Sequence, residues 1–187
     1  MEERKTICIF CSSSDYLPKI YFDSAEEIGR LFAKENFDLI YGGGNLGLMG
    51  MVARSFKDEK AKITGVIPRK LHLKVGSFDK TDEIIVTESM SQRKMEMFTK
   101  AYGFIVLPGG FGTLDEAMEV ITLKQLGYLN KPIAFLNVNK FYDNLFKQFE
   151  VIYQEKFAYE SNRNLYFISE TSEKIVTYMR NYYNQTN

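Results

Sequence analysis

The stretch Phe104-Ile105-Val106-Leu107-Pro108-Gly109-Gly110-Phe111-Gly112-Thr113-Leu114-Asp115-Glu116 decides how this chain is read. Four successive apolar residues suit a strand buried on both faces; proline and glycines then break it, and a helical pattern follows. The unit is strand, glycine turn, helix start. Glycines let a backbone approach a ligand closely, and the unbonded N–H groups of a helix's first turn attract anions. Glu116 puts a carboxylate within one turn of that anion site. Thr113 and Glu116 also fit a plainer pattern, a capping box in which both side chains serve the backbone of the helix end. A plain cap does not need three glycines, so the stretch points to a phosphate cradle with an acid beside it, and hence to nucleotide chemistry.

Strand-like apolar runs alternate with helical patterns along the chain. Residues 6–11, 38–41, 63–67, 83–86, 104–107 and 132–136 read as strands, with a short seventh at Phe167-Ile168. Tyr21, Ala25, Ile28 and Phe32 recur at helical spacing, as do Leu48, Val52 and Phe56, while Leu114, Met118, Ile121 and Leu126 stripe the helix after the glycine turn less regularly. This alternation predicts an α/β fold: a Rossmann-like, doubly wound, mostly parallel sheet in three layers. At 187 residues the chain suits a single domain spanning 1–187. Such sheets bind ligands beyond the carboxyl ends of their strands. Ser12-Ser13-Ser14, Gly42-Gly43-Gly44 and Pro108-Gly109-Gly110 all fall there. The three turns are expected to build one cleft, with Ser13, Gly43 and Gly44 among its nucleotide-binding residues. Residues 181–187 are expected to fray.

Composition narrows the partners. Basic and acidic residues balance at 24 each, so no broad field attracts nucleic acid or an anionic membrane. No apolar run approaches the ~20 residues that cross a bilayer, and the opening Met1-Glu2-Glu3-Arg4-Lys5 leads into a strand without a signal-type cleavage region. A cytoplasmic location is expected. Cys8 and Cys11 have the C-x-x-C spacing, but that redox motif belongs at a helix start, and here it spans an apolar strand; buried small hydrophobes fit better. With one histidine, His72, a histidine-based metal site is not expected, nor is any cofactor.

Gly42-Gly43-Gly44-Asn45-Leu46-Gly47 matches G-x-G-x-x-G formally, but it follows the second strand, and the acid expected about 20 residues on is replaced by Ile67-Pro68-Arg69-Lys70. A dinucleotide-dependent oxidoreductase is therefore disfavoured, and no Walker A lysine follows either turn. Met90-Ser91-Gln92-Arg93-Lys94 opens a helix after the fourth strand, and Ser89 with Gln92 fits a capping box. Two basic residues in a helix's first turn oppose the macrodipole. Arg93 and Lys94 are either a solvated surface pair or a binding element, since Arg93's planar fork suits a phosphate or a base.

These segments together resemble the LONELY GUY (LOG) family, the cytokinin riboside 5′-monophosphate phosphoribohydrolases. The resemblance rests on YGGGNLGLMG at 41–50, GVIPRKL at 65–71, MSQRKMEM at 90–97 and PGGFGTLDE at 108–116, and continues through ITLKQLG at 121–127 and KPIAFLNV at 131–138. It implies hydrolysis of the N-glycosidic bond of AMP or an N6-substituted AMP, giving free base and ribose 5-phosphate. By motif, Arg93 and Glu116 would be the catalytic pair. Gly109, Gly110, Phe111, Gly112 and Thr113 would bind the 5′-phosphate, with Lys94, Met90, Asp115 and Thr122 nearby in nucleotide binding. Family members are usually dimers with the active site near the interface, so a homodimer is expected. A non-catalytic nucleotide-binding or molybdenum-cofactor-carrier-like protein on the same cleft is the alternative. The chain departs from the family at Ser12 (usually Gly), Ser91 (usually His), Tyr102 (usually Asp) and Lys70 (often Glu). Losing acids at Tyr102 and Lys70 would bear on base preference or on the partner of Arg93. Proteins of this kind are often labelled lysine decarboxylases, although amino-acid decarboxylation needs an electron sink such as PLP and nothing in the sequence suggests a lysine to hold one.

Overall fold

A computed structural model describes residues 4–75 and 78–182 of the chain, with Val75 described for its backbone. Seven strands carry the apolar runs: β1 (Lys5–Phe10), β2 (Phe37–Tyr41), β3 (Ile63–Pro68), β4 (Glu83–Thr87), β5 (Gly103–Val106), β6 (Ile133–Leu136) and β7 (Phe167–Ser169). Between and after them lie α1 (Lys19–Lys34), α2 (Gly47–Asp58), α3 (Arg69–Val75), α4 (Met90–Lys100), α5 (Phe111–Gln125), α6 (Asp143–Gln154) and α7 (Ser172–Asn181). All strand pairs are parallel, in the order β4-β3-β2-β1-β5-β6-β7. The sheet is thus doubly wound, and its order reverses between β1 and β5. Each sequence-predicted strand is present, with boundaries moved by a residue or so.

Side chains alternate across the sheet, and the two faces make two cores. Ile7, Ile9, Leu39, Tyr41, Ile105 and Leu136 pack under Ala25, Ile28 and Phe32 of α1, Leu48, Val52 and Phe56 of α2, and Ile175 and Met179 of α7. Phe10, Ile40, Val66, Phe104, Val106 and Phe135 pack under Met97 and Phe98 of α4 and Ala117 and Val120 of α5. Cys8 and Cys11 fall on opposite faces as free, buried thiols, which bears out the small-hydrophobe reading.

Two expectations need correction. The buried face of α5 is Thr113, Glu116, Ala117 and Val120; of the expected stripe, Leu114, Met118 and Ile121 are half-buried and pack against the margin of the core that α4 and α5 cover, and Leu126 is exposed. The apolar stripe is weak because the inward face of this helix carries the polar residues of the cleft. For the expected frayed end, Asn181 closes α7 and the Tyr182 hydroxyl donates to Asn130 at 3.1 Å; residues 183–187 lie outside the described residues.

The path of α4 positions the site. It leaves the carboxyl end of β4, at one edge of the sheet, and carries the chain back across β3, β2 and β1 to start β5. Its first turn therefore lies beside the same carboxyl edge that bears the glycine turns. Ser89 caps it, its hydroxyl accepting from the Gln92 N–H at 3.1 Å, as the capping-box reading expects.

Candidate active site

At the β1/β5 reversal the carboxyl ends of the strands open into a cleft of about 560 Å³. That is within the usual range for small-molecule sites. The turn after β1 contributes Ser12, Ser13 and Ser14, the turn after β2 contributes Gly42 and Gly44, and the turn after β5 contributes Gly110 to Thr113. The three turns do build one cleft. Leu46, Met49, Ile67, Leu71 and Met90 form an apolar wall on the β2–β3 side.

Arg93 and Glu116 meet in this cleft. Arg93 Nη1 donates to Glu116 Oε1 at 2.7 Å, and Arg93 Nε donates to the Val66 carbonyl at 3.1 Å. Both side chains are buried, with the residues 9% and 7% exposed. The reading of Arg93 as a solvated surface base is therefore overturned: the crossover of α4 lays its first turn over β3, facing α5. Burial pushes the Glu116 carboxyl above the usual carboxylate range, and the Arg93 charge beside it offsets part of that rise.

The capping box proposed for Thr113 and Glu116 is absent. α5 begins at Phe111 with Gly110 at the N-cap and no side-chain cap bond. Thr113 thus lies inside the helix and Glu116 a turn further on, spent on Arg93. The N–H groups of Phe111, Gly112 and Thr113 bond to no other group among the described residues, so this helix end is open to an anion. The N-terminus of α2, after the other glycine turn, is closed. Asp15 accepts from the Gly47 N–H at 2.7 Å, and the Ser12 carbonyl accepts from Leu48 at 2.9 Å and Met49 at 3.3 Å. Two turns of similar composition differ because one has a loop carboxylate folded over it.

Of the sequence-predicted site residues, Arg93, Glu116, Gly110, Phe111, Gly112, Thr113, Met90, Gly44 and Ser13 line the cleft. Five do not. Lys94 is tied to Asp115 (3.0 Å) and Glu119 (2.5 Å) and pins α4 to α5 beside the Arg93 pair. Thr122 is exposed further along α5, its hydroxyl donating to the Met118 carbonyl at 2.8 Å. Gly109 backs onto Thr113, whose Oγ1 would lie 2.1 Å from an added Cβ. Gly43 has φ +77° and faces β3, so it shapes the turn.

The departures divide as well. Ser12 lines the cleft, its Oγ accepting from the Ser14 N–H at 3.1 Å. Tyr102 lies just before β5, at the opposite, amino end of the sheet, packed edge-on against Phe37. The acid lost there has no bearing on the partner of Arg93. The wall residues Leu46, Met49, Ile67 and Leu71 escaped the sequence reading, although they follow the ends of β2 and β3 and the carboxyl-end rule reaches them. The Val66 carbonyl could not be found that way, because every residue carries one.

Comparison with known proteins bears on the family and the fold. A family model described as "Possible lysine decarboxylase" matches residues 49–179. A cytokinin riboside 5′-monophosphate phosphoribohydrolase of Arabidopsis thaliana is 36% identical over 186 residues, covering 97% of this chain and 87% of that protein. A probable enzyme of the same name from Oryza sativa subsp. japonica is 37% identical over 178 residues, covering 95% of this chain and 73% of that protein. Among solved structures, the molybdenum cofactor carrier protein of Chlamydomonas reinhardtii aligns with a TM-score of 0.74 at 18% identity, over 97% of this chain and 99% of its own. The molybdenum cofactor binding protein of Rippkaea orientalis gives 0.73 at 20%, over 96% and 98%. At such identities the structural likeness establishes the fold alone.

Proposed function

This chain belongs to the LOG family of cytokinin riboside 5′-monophosphate phosphoribohydrolases, and from that premise we propose that it hydrolyses the N-glycosidic bond of AMP or an N6-substituted AMP, releasing the base and ribose 5-phosphate. The observation that carries the proposal beyond family membership is the buried Arg93–Glu116 pair beside the open N-terminus of α5. The 5′-phosphate takes the N–H groups of Phe111, Gly112 and Thr113, which fixes the sugar and turns remote binding energy into rate. Departure of the base leaves an oxocarbenium-like ribose. A carboxylate at Glu116 stabilises that charge and activates a water, and Arg93 holds the carboxylate in place. The apolar wall from Leu46 to Met90 suits a purine and a hydrophobic N6 substituent.

The decarboxylase description finds no support in the residues. Among the described residues lining the cleft none is a lysine, so none of them can carry a Schiff base to an electron-sink cofactor. We also propose a homodimer in the cytoplasm. Phe111 (93% exposed), Leu46, Leu71 and Met90 leave an apolar rim at the cleft mouth, which a second copy would cover. The free thiols suit a reducing compartment. Among the described residues no helix is long and apolar enough to cross a membrane.

The test is a chromatographic assay of purified protein with AMP and with N6-isopentenyl-AMP, following free base and ribose 5-phosphate. Release from either is the expected result. Tight binding of both without release would overturn the hydrolase and leave a non-catalytic nucleotide carrier.

A further inference from the structure

We infer that Gly42 is a positioning residue for Arg93: the space left by its missing side chain is what lets the guanidinium reach Glu116 and the Val66 carbonyl together. A Cβ added at Gly42 would lie 2.3 Å from Arg93 Nη2 and 3.4 Å from its Cζ. The first separation is far inside van der Waals contact. The far end of an arginine usually yields to such a clash at little cost, but this one is held at two other points. Nη1 bonds Glu116 at 2.7 Å and Nε bonds Val66 at 3.1 Å. A guanidinium is a rigid plane, so moving Nη2 clear of a methyl group drags both bonded nitrogens with it.

The three glycines of this turn thereby have separate duties. Gly43 takes the positive φ, and an added Cβ at Gly44 would meet only the Met49 side chain. Gly42 has no positive φ, so its requirement is for space rather than backbone freedom. The G-x-G-x-x-G match at 42–47 therefore marks the seat of an arginine, and Gly42 serves the reaction through Arg93 rather than by touching the substrate. The kinetic consequence rests on the hydrolase reading; the packing consequence does not.

A double-mutant cycle of Gly42→Ala and Arg93→Met tests this, read by urea unfolding and by kinetics with AMP. Methionine ends short of the terminal nitrogens that Gly42 accommodates. In the wild-type background Gly42→Ala is expected to lower the urea midpoint and to reduce kcat by about 10- to 100-fold with KM nearly unchanged, as misplacement of a catalytic group does. In the Arg93→Met background the same change should shift the midpoint by no more than the contact with Met49 does, and leave the residual rate where it was. The contact with Met49 Sδ, 3.3 Å from the added Cβ, is common to both arms and cancels. Equal midpoint shifts in the two backgrounds would overturn the inference. So would a raised KM at unchanged kcat, which would make Gly42 a substrate contact. Should Gly42→Ala fail to fold while Arg93→Met folds, recovery of the fold in the double variant supports the inference and failure of the double variant overturns it. Coupled unfolding in a protein that releases no base would sink the hydrolase reading and leave the seat of Arg93 standing.

Discussion

Arg93 and Glu116 gain their chemistry from burial. In water such a pair is worth little, but once buried the loss of one partner leaves a charge unmatched. Arg93→Met is therefore expected to cost about 3–5 kcal/mol near neutral pH, measured by urea unfolding. The sign of its pH dependence follows from the raised Glu116 pKa. A carboxyl whose folded pKa exceeds its unfolded value favours the fold fully below the unfolded pKa, and loses that contribution as pH rises through the folded one. Removing Arg93 raises the folded value further, so the deficit of the variant should be largest above it and shrink as the solution is acidified. The proposed mechanism uses the ionised form, so the acid limb of kcat/KM should lie above the ~4.3 of a free glutamate. Glu116→Gln is expected to fold normally by circular dichroism and to lose at least ~10²-fold in kcat. Full activity in that variant would reduce Glu116 to a packing role.

The helices that follow the two glycine turns show how similar sequences acquire different duties. α2 has its first N–H groups occupied by Asp15 and by the Ser12 carbonyl, so it is a structural support. Asp15→Ala should cost about 1 kcal/mol of stability, the usual value of a lost N-terminal cap. α5 keeps its first N–H groups open, and Gly109 lets the turn fold tightly against Thr113. Gly109→Ala should displace that turn and raise the KM for AMP at least about tenfold, the worth of one hydrogen bond to a charged group. An unchanged KM would remove the phosphate from this helix end. The presence of α5 was legible as a glycine turn followed by a helical pattern, although the helix starts at Phe111, ahead of the Thr113 cap that the pattern suggests. Its inward face was not, because Thr113 and Glu116 are buried by the cleft and α4 rather than by their own hydrophobicity.

Across the whole molecule, the reversal of strand order between β1 and β5 leaves a gap at the carboxyl edge, and the crossover helix α4 brings a basic first turn to it. Both cores are continuous along the sheet, which ties the site to the stability of the entire fold. The exposed apolar rim of the cleft predicts that light scattering will give twice the mass of the chain at working concentration. A monomer would defeat the proposed dimer.

Periodicity and turn chemistry are properties of neighbouring residues, so the strands, the helices α1, α2, α4 and α5, the parallel α/β class and the three turns of the cleft could be read along the chain, whereas α3, α6 and α7 were not. The family motifs added which residues to watch. The partnership of Arg93 with Glu116 and Val66, 23 and 27 positions away, belongs to the folded molecule. So does the closure of α2 by Asp15, 32 positions from Gly47. These contacts depend on where the crossover helix and the loops come to rest. That is set by the order of the strands and the packing of the two cores, which no local pattern encodes.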